Sequence, residues 1–353
     1  MSKSNLNKYV CRYPFKYLDI QENASWPCCP SWVTKHIGDY INDQDPDLCE
    51  LWKGQDAEDI RRSVTDGSYE FCKSDVCPFL NYVINNDKPY GPIVRREAFE
   101  LMTMPEYPEE LLFGFDRACN LKCPSCRADY VTNDANESPE RSRKENMMAH
   151  IDKHFSQDVK KMLITGSGDP IYSKIYRQYL QDFDKSKYPK LETIQLITNG
   201  NLLNEKMWNT LKAREFIKLI EISVDAGTSE TYQGVTRLNG HWKKLTENIK
   251  FLMGQAEIEE MVFSMVVSEY NYNEMEQFYD YITELEKTNK RGDKRINIRY
   301  MKIQYWGTGA YLPEDIRNIS IFDKAHPKFE SFLTELNKIK DKPKVHHNFH
   351  SLL

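Results

Sequence analysis

The chain has 353 residues, 40% apolar, 12% aromatic and 29% charged, which excludes a disordered, collagen-like or coiled-coil protein and leaves room for one large α/β domain or two ordinary ones. Its 48 Lys and Arg against 53 Asp and Glu give a net charge of −5, so no nucleic-acid partner is expected. The opening MSKSNLNKYV is polar and no run approaches the roughly 20 apolar residues of a membrane span, so a cytoplasmic protein with no membrane partner is expected.

Residues 1–80 are rich in proline and aromatic residues and hold six of the nine cysteines. Their one sustained period is a helical pattern over Leu51–Thr65. A segment with so little periodic apolar sequence needs a cross-link or a metal to hold a fold, and all nine cysteines lie within the first 126 residues. In a reducing compartment such cysteines are metal ligands more often than disulfides. Residues 81–109, with Pro89, Pro92, Pro105 and Pro108, read as a linker.

From residue 110 short apolar runs alternate with amphipathic ones. Strands are predicted at Glu110–Asp116, Lys161–Thr165, Thr193–Thr198, Phe216–Val224, Met261–Val267 and Arg295–Ile303. Helices are predicted between them at Arg141–Phe155, Tyr172–Phe183, Glu205–Arg214, Trp242–Gly254 and Asn273–Asn289. This order implies parallel βα units. The economical architecture is an α/β partial (β/α)6 TIM-like barrel over 110–310, with a helical extension over 311–353; a doubly wound sheet is the alternative. Polar residues and glycines gather where the strands end, which is where such folds place their chemistry.

The sharpest motif follows the first of these strands. Cys119-Asn120-Leu121-Lys122-Cys123-Pro124-Ser125-Cys126 is a C-x3-C-x2-C loop. Three thiolates in so short a span wrap one soft metal centre, and the fourth ligand that a structural zinc would want is missing locally. An iron–sulfur cube held by three cysteines leaves one iron open for another ligand. The loop resembles the cluster loop of radical S-adenosylmethionine (SAM) enzymes. The resemblance implies a [4Fe–4S] cluster on Cys119, Cys123 and Cys126, with SAM on the open iron. Reduction would cleave SAM to a 5′-deoxyadenosyl radical that takes hydrogen from a substrate.

Later strand ends extend the resemblance. Gly166-Ser167-Gly168-Asp169-Pro170 resembles the family's GGEP segment, which holds the SAM ammonium, with Asp169 in place of the usual Glu. Thr198-Asn199-Gly200 resembles its TNG. Ser223-Val224-Asp225 resembles the segment whose polar groups meet the ribose hydroxyls, and Arg237 resembles the arginine that pairs with the SAM carboxylate, a match for the guanidinium fork. The plain alternatives are ordinary turn residues at Asn199 and Asp225 and a surface charge at Arg237. The residue before the third cysteine, usually aromatic, is Ser125, which leaves the adenine to backbone or other side chains.

The earlier cysteines, in Cys11-Arg12-Tyr13-Pro14-Phe15, Trp26-Pro27-Cys28-Cys29 and Cys72…Cys77-Pro78, with Ile60-Arg61-Arg62-Ser63 and Asp66-Gly67 between them, resemble the SPASM/twitch domains that bind auxiliary [4Fe–4S] clusters. Here the domain (1–80) would precede the barrel. The implied ligands are Cys11, Cys28 or Cys29 with Cys28 preferred, Cys72 and Cys77; Cys49 is assigned to packing. A four-cysteine structural zinc is the alternative. A fully ligated auxiliary cluster would relay an electron in a net dehydrogenation, whereas an open iron on it would bind substrate.

The stretch Glu286–Ile296 reads as a solvated basic turn. His346, His347 and His350 read as tail residues after a helix over His326–Ile339. Tyr305-Trp306-Gly307 suits either a substrate pocket or the core. The reading ranked first is an oxidoreductase that abstracts hydrogen from a small molecule such as a sugar derivative. It would use the auxiliary cluster as relay and take electrons from a flavodoxin- or ferredoxin-type donor. The second is a peptide maturase making a cross-link or an epimer, ranked lower because no precursor-binding winged helix precedes Cys11. The third is a non-catalytic zinc-binding interaction module. No catalytic acid or base is assigned.

Overall fold

The computed structural model describes residues 3–132, 139–165, 167–288, 292, 294–305, 310–349 and 352. The chain forms two compact units: Met1–Arg117 with Asp134–Ser167 and Asp184–Thr193, and Ala118–Asn133 with Gly168–Phe183 and Ile194–Leu353.

The first unit contains strands β1 (Tyr9–Cys11), β2 (Tyr17–Gln21), β3 (Ala24–Trp26), β4 (Gly38–Asp39), β5 (Ile93–Arg95), β6 (Glu110–Gly114) and β7 (Lys161–Ile164). Five of them line up as β7-β6-β2-β3-β4. β2 runs parallel to β6, with Leu18 opposite Leu111 and Ile20 opposite Phe113, and β6 runs parallel to β7. These four side chains, with Met162 and Ile164, are buried, as expected where a parallel sheet is covered by crossover helices. One such helix, Pro139–His154, lies between β6 and β7 in the chain.

β1 and β5 form a separate antiparallel ribbon. Around it Tyr9, Val10, Val64, Tyr69, Leu80 and Ile93 make an apolar cluster that also takes in Cys77, Cys11 and Cys72. The N-terminal eighty residues do not stand apart, because β2 extends the sheet of β6. The stretch read as a linker carries most of the helix Pro78–Asn86 and all of β5. The helix expected over Leu51–Thr65 is two helices, Leu48–Lys53 and Gln55–Thr65, which meet at an extended Gly54.

The second unit contains β8 (Thr193–Thr198), β9 (Ile217–Ser223), β10 (Glu260–Val267), β11 (Arg295–Lys302) and β12 (Val345–His347), in the order β12-β11-β10-β9-β8 and all parallel. Between them run the helices Glu205–Thr210, Trp242–Met253, Met275–Glu286 and Phe329–Ile339. Leu245, Ile249, Leu252 and Met253 make the buried stripe of one of them, the spacing of a helix laid on a sheet.

The chain is thus a mixed α/β protein with largely parallel strand pairing, and each of the six strands expected from residue 110 forms with ends shifted by two residues or fewer. His346 and His347 are not tail residues: they lie in β12, opposite Arg299 and Tyr300. His350, Trp306, Gly307 and positions 289–291 and 293 of the basic turn lie outside the described residues. Among the described residues no helix is long and apolar enough to cross a membrane.

Candidate functional site

The cysteine loop belongs to the second unit. Its backbone is closed by Cys119 N donating to Val131 O at 2.9 Å and Lys122 N to Leu238 O at 3.2 Å, while Cys126 N donates to Cys123 O at 2.9 Å. The last is a tight turn that Pro124 suits. Cys119 and Cys123 are buried with Leu121, and Cys126 packs against them. Burial pushes the Cys119 thiol up to about 12, with Asp169 adding to the effect. Burial also raises the Cys123 thiol against the pull of Arg237. Apolar surroundings keep these thiols protonated until a metal displaces the proton.

A nitrogen donor reaches each sulfur. Asn199 Nδ2 lies 3.7 Å from Cys119 Sγ, Arg237 Nη1 lies 3.5 Å from Cys123 Sγ, and Arg127 Nη2 lies 3.4 Å from Cys126 Sγ. Arg127 follows the last cysteine directly and was not singled out in the sequence; a cation adjoining a run of thiols was the available signal. Burial works against its charge, but the neighbouring thiols Cys126 and Cys119 raise its pKa overall.

Asp169 ties this loop to the end of β8. Its backbone N donates to Ala118 O at 2.9 Å. Its Oδ1 accepts from Ile171 N at 3.0 Å and Tyr172 N at 3.1 Å. Its Oδ2 accepts from Thr198 Oγ1 at 2.8 Å and Asn199 N at 2.9 Å. The carboxylate is 1% exposed, so the ammonium contact expected of it would compete with four hydrogen bonds from the chain.

Asn199 is held from both ends, its Nδ2 donating also to Asn120 Oδ1 at 2.9 Å and its Oδ1 accepting from Asn201 N at 3.0 Å. Gly200 turns the chain at φ +75, where a Cβ would stand 2.8 Å from Leu245 Cδ1. That explains a glycine after Thr198-Asn199. Asn248 Nδ2 then clamps Gly200 O at 2.8 Å and Asn201 O at 3.1 Å.

At the end of β9, Asp225 has φ 60. Its Oδ1 accepts from Val266 N at 2.8 Å, and its Oδ2 meets Arg237 Nη2 at 2.6 Å. Burial raises the Asp225 carboxyl and Arg237 pulls it back. Burial alone would lower Arg237, but Asp225 and Cys123 together raise it and keep it charged. Arg237 leaves a π-helical turn over Tyr232–Thr236, a rare geometry that re-aims a side chain. It is a buried group rather than a surface charge, and its Nε has no hydrogen-bond partner among the described residues. Ser223 Oγ accepts from Ser264 Oγ at 3.4 Å. Ser167, in the first unit, donates to Gly114 O at 2.6 Å. Gly168 falls in the second unit, and Gly166 lies outside the described residues.

Beside the loop a narrow cleft with room inside for about 20 Å³ is bounded by Ser125, Asp225, Thr236, Ser268, Tyr270 and Tyr311 among others.

In the first unit Cys11, Cys72 and Cys77 adjoin one apolar cluster. Cys28 is 8% exposed. Burial raises its thiol well above the ordinary value, and Cys11, Cys77, Cys29 and Cys72 push the same way. Cys29 is raised by burial too, with Asp19 rather than Cys11 as its strongest charged neighbour. Cys49, expected only to pack, has His150 Nε2 at 3.4 Å from its sulfur.

Residues 115–282 match the model of the radical SAM superfamily. The chain is similar to two GTP 3′,8-cyclases of Clostridium perfringens, from strain 13 / Type A and strain SM101 / Type A. Each is 24% identical over 197 residues, 54% of this chain and 54% of the relative, so the chain spans about half the length of these curated relatives. Among solved structures it resembles TYW1 with a lysine–pyruvate adduct bound, at TM-score 0.38 and 15% identity over 75% of this chain and 82% of that one. It also resembles native anSMEcpe with bound AdoMet, at TM-score 0.42 and 15% identity over 67% and 63%. The span 115–282 that matches the radical SAM superfamily model contains the three cysteines of the loop together with Asp169, Asn199, Asp225 and Arg237.

Proposed function

We propose that this protein is a radical SAM oxidoreductase acting on a small molecule. The observation that carries the reading is the set of three buried cysteines, each with a nitrogen donor on its sulfur, inside the span that matches the family. The residues fit a [4Fe–4S] cluster. Cys119, Cys123 and Cys126 supply three soft ligands, the two arginines offset the negative charge, and the unpartnered Arg237 Nε is a buried donor awaiting an anionic group. With SAM on its open iron, such a cluster supplies one-electron cleavage of the sulfonium to a 5′-deoxyadenosyl radical that takes hydrogen from substrate.

The chain's own residues position and tune. Hydrogen bonds to cluster sulfurs move a reduction potential, and Asn199, Arg237 and Arg127 are placed to make them. Asp169 holds Asn199 at its post. Asp225 keeps Arg237 oriented and charged beside Cys123, with its own backbone carbonyl held by Asn271 Nδ2 at 2.9 Å. The substrate proposed is a small molecule such as a sugar derivative, met by the polar residues Ser125, Asp225 and Ser268 beside the loop. Cys11, Cys28, Cys72 and Cys77 would hold an auxiliary [4Fe–4S] cluster that relays an electron, and a flavodoxin- or ferredoxin-type donor would deliver the first one. None of the nine cysteines is in a disulfide, which leaves them available as ligands.

Anaerobic reconstitution followed by electron paramagnetic resonance tests both parts. The reduced protein should give a signal that changes on adding SAM. The Cys72→Ala/Cys77→Ala variant should keep that response while iron falls from roughly eight to roughly four per chain, as two cubes of four irons require. A spectrum indifferent to SAM contradicts the enzyme reading; iron unchanged in the double variant contradicts the auxiliary cluster alone.

A further inference from the structure

Apart from both cysteine sets, donor atoms from three side chains converge in the first unit. Asp47 caps the helix Leu48–Lys53, its Oδ1 accepting from Cys49 N at 2.9 Å and Glu50 N at 3.0 Å. The cap fixes the carboxylate next to the Cys49 thiol. His150 comes from the helix Pro139–His154. Its Nε2 lies 3.4 Å from Cys49 Sγ and 3.6 Å from Asp47 Oδ1. All three donor atoms lie within 4.8 Å of one another, and among the described residues this is the one such set of His, Cys, Asp or Glu donors.

These separations match a metal polyhedron. A tetrahedral zinc with Zn–S near 2.3 Å and Zn–N and Zn–O near 2.0–2.2 Å has edges of roughly 3.3–3.6 Å. The two short separations fall at or within that range without any movement. The scaffold is fixed as well: from the same helix Arg143 Nη1 donates to Ile41 O at 3.0 Å and Asn146 Nδ2 to Gln44 O at 3.1 Å, pinning the segment that leads into Asp47. Preorganisation of this kind is what a binding site needs and a chance contact lacks.

The ligand chemistry narrows the ion. A thiolate, an imidazole and a carboxylate are a set of borderline softness, suited to zinc and unlike the all-oxygen shells of calcium or magnesium. Burial, with His154 stacked one turn along at 4.4 Å, lowers the pKa of His150, so the imidazole is neutral and its lone pair available. Burial raises the Cys49 thiol to about 11, so a cation has to displace its proton and binding strengthens as pH rises. His150 is largely buried while the Asp47 side chain is 58% exposed, which puts the fourth coordination position on the solvent side.

The geometry points to a zinc-class divalent cation site formed by Asp47, Cys49 and His150, with its fourth position open to water. It is independent of the SAM chemistry, since none of the three residues belongs to either cysteine set.

The test uses the full chain with its iron–sulfur centres reconstituted and loose metal removed, so that the other thiols are occupied. Zn2+ is titrated against a chromophoric chelator, and retained zinc and iron are counted. Wild type is expected to hold about one zinc more than Cys49→Ser or His150→Gln, with iron equal in all three. Asp47→Asn keeps the helix cap, because Asn caps as well as Asp, but offers a poorer ligand. It should bind zinc at least about tenfold more weakly with an unchanged thermal midpoint, which separates ligation from folding. Co2+ in place of Zn2+ should give a thiolate-to-cobalt absorption in wild type that Cys49→Ser lacks. If wild type retains no more zinc than Cys49→Ser, or if Asp47→Asn and His150→Gln bind as wild type does, the three residues are a packing contact and the site is refuted.

Discussion

Asp169 and Asp19 are both carboxylates that the fold buries, with opposite consequences. Asp169 accepts four hydrogen bonds from two stretches of chain, and removing it leaves Thr198 and three backbone N–H groups without their acceptor. Asp169→Ala should therefore cost on the order of 3 kcal/mol in urea unfolding, and a loss below about 1 kcal/mol would show that the network is not structural. Asp19, on β2 and 2% exposed, is pushed up to about 7 by burial, against hydrogen bonds from Gln21 and Tyr17 that lower it. An unfolded Asp titrates near ~3.9. Because the folded value is the raised one, Asp19 contributes its stability fully below about pH 4, and that contribution is lost as pH rises through about 7. The stability of wild type relative to Asp19→Asn should fall across that window by up to about 4 kcal/mol. A difference that stays flat between pH 4 and pH 8 contradicts the assignment.

Elements differ in how much of them the residues alone reveal. β8 and β10 were legible because their apolar runs are long and bounded by polar turns, and the C-x3-C-x2-C loop because its chemistry is local. β12 was not: Val345-His346-His347 has one apolar residue, and it becomes a strand only by pairing with β11. What anchors it is Phe349, fully buried against Phe322 and Phe332 with ring centroids 5.9 and 5.2 Å away. Phe349→Ala should destabilise the protein by about 3–5 kcal/mol, measured by chemical denaturation; a tail residue would cost almost nothing. β2 was hidden for another reason, since Leu18 and Ile20 are a short alternation among aromatic and proline residues, and their burial depends on β6 far along the chain. Cys49 and His150 are separated by about a hundred residues, so no spacing rule joins them. Gly54 broke a helix that periodicity read as continuous, because its extended backbone lets two short helices meet there.

For the molecule as a whole, the thiols are divided between the two units. The second unit holds Cys119, Cys123 and Cys126, and the remaining six cysteines lie in the first unit. The long cysteine-free remainder supplies Asp169, Asn199, Asp225 and Arg237, the residues that hold the loop and point donors at its sulfurs. The proposed function requires those three thiols to carry SAM cleavage. The most direct measurement is 5′-deoxyadenosine formed by anaerobically reconstituted, dithionite-reduced protein supplied with SAM, set beside Cys126→Ala prepared in the same way. Wild type should form 5′-deoxyadenosine and the variant none above background. Equal amounts from both, or none from a wild type that carries its full complement of iron, would contradict it.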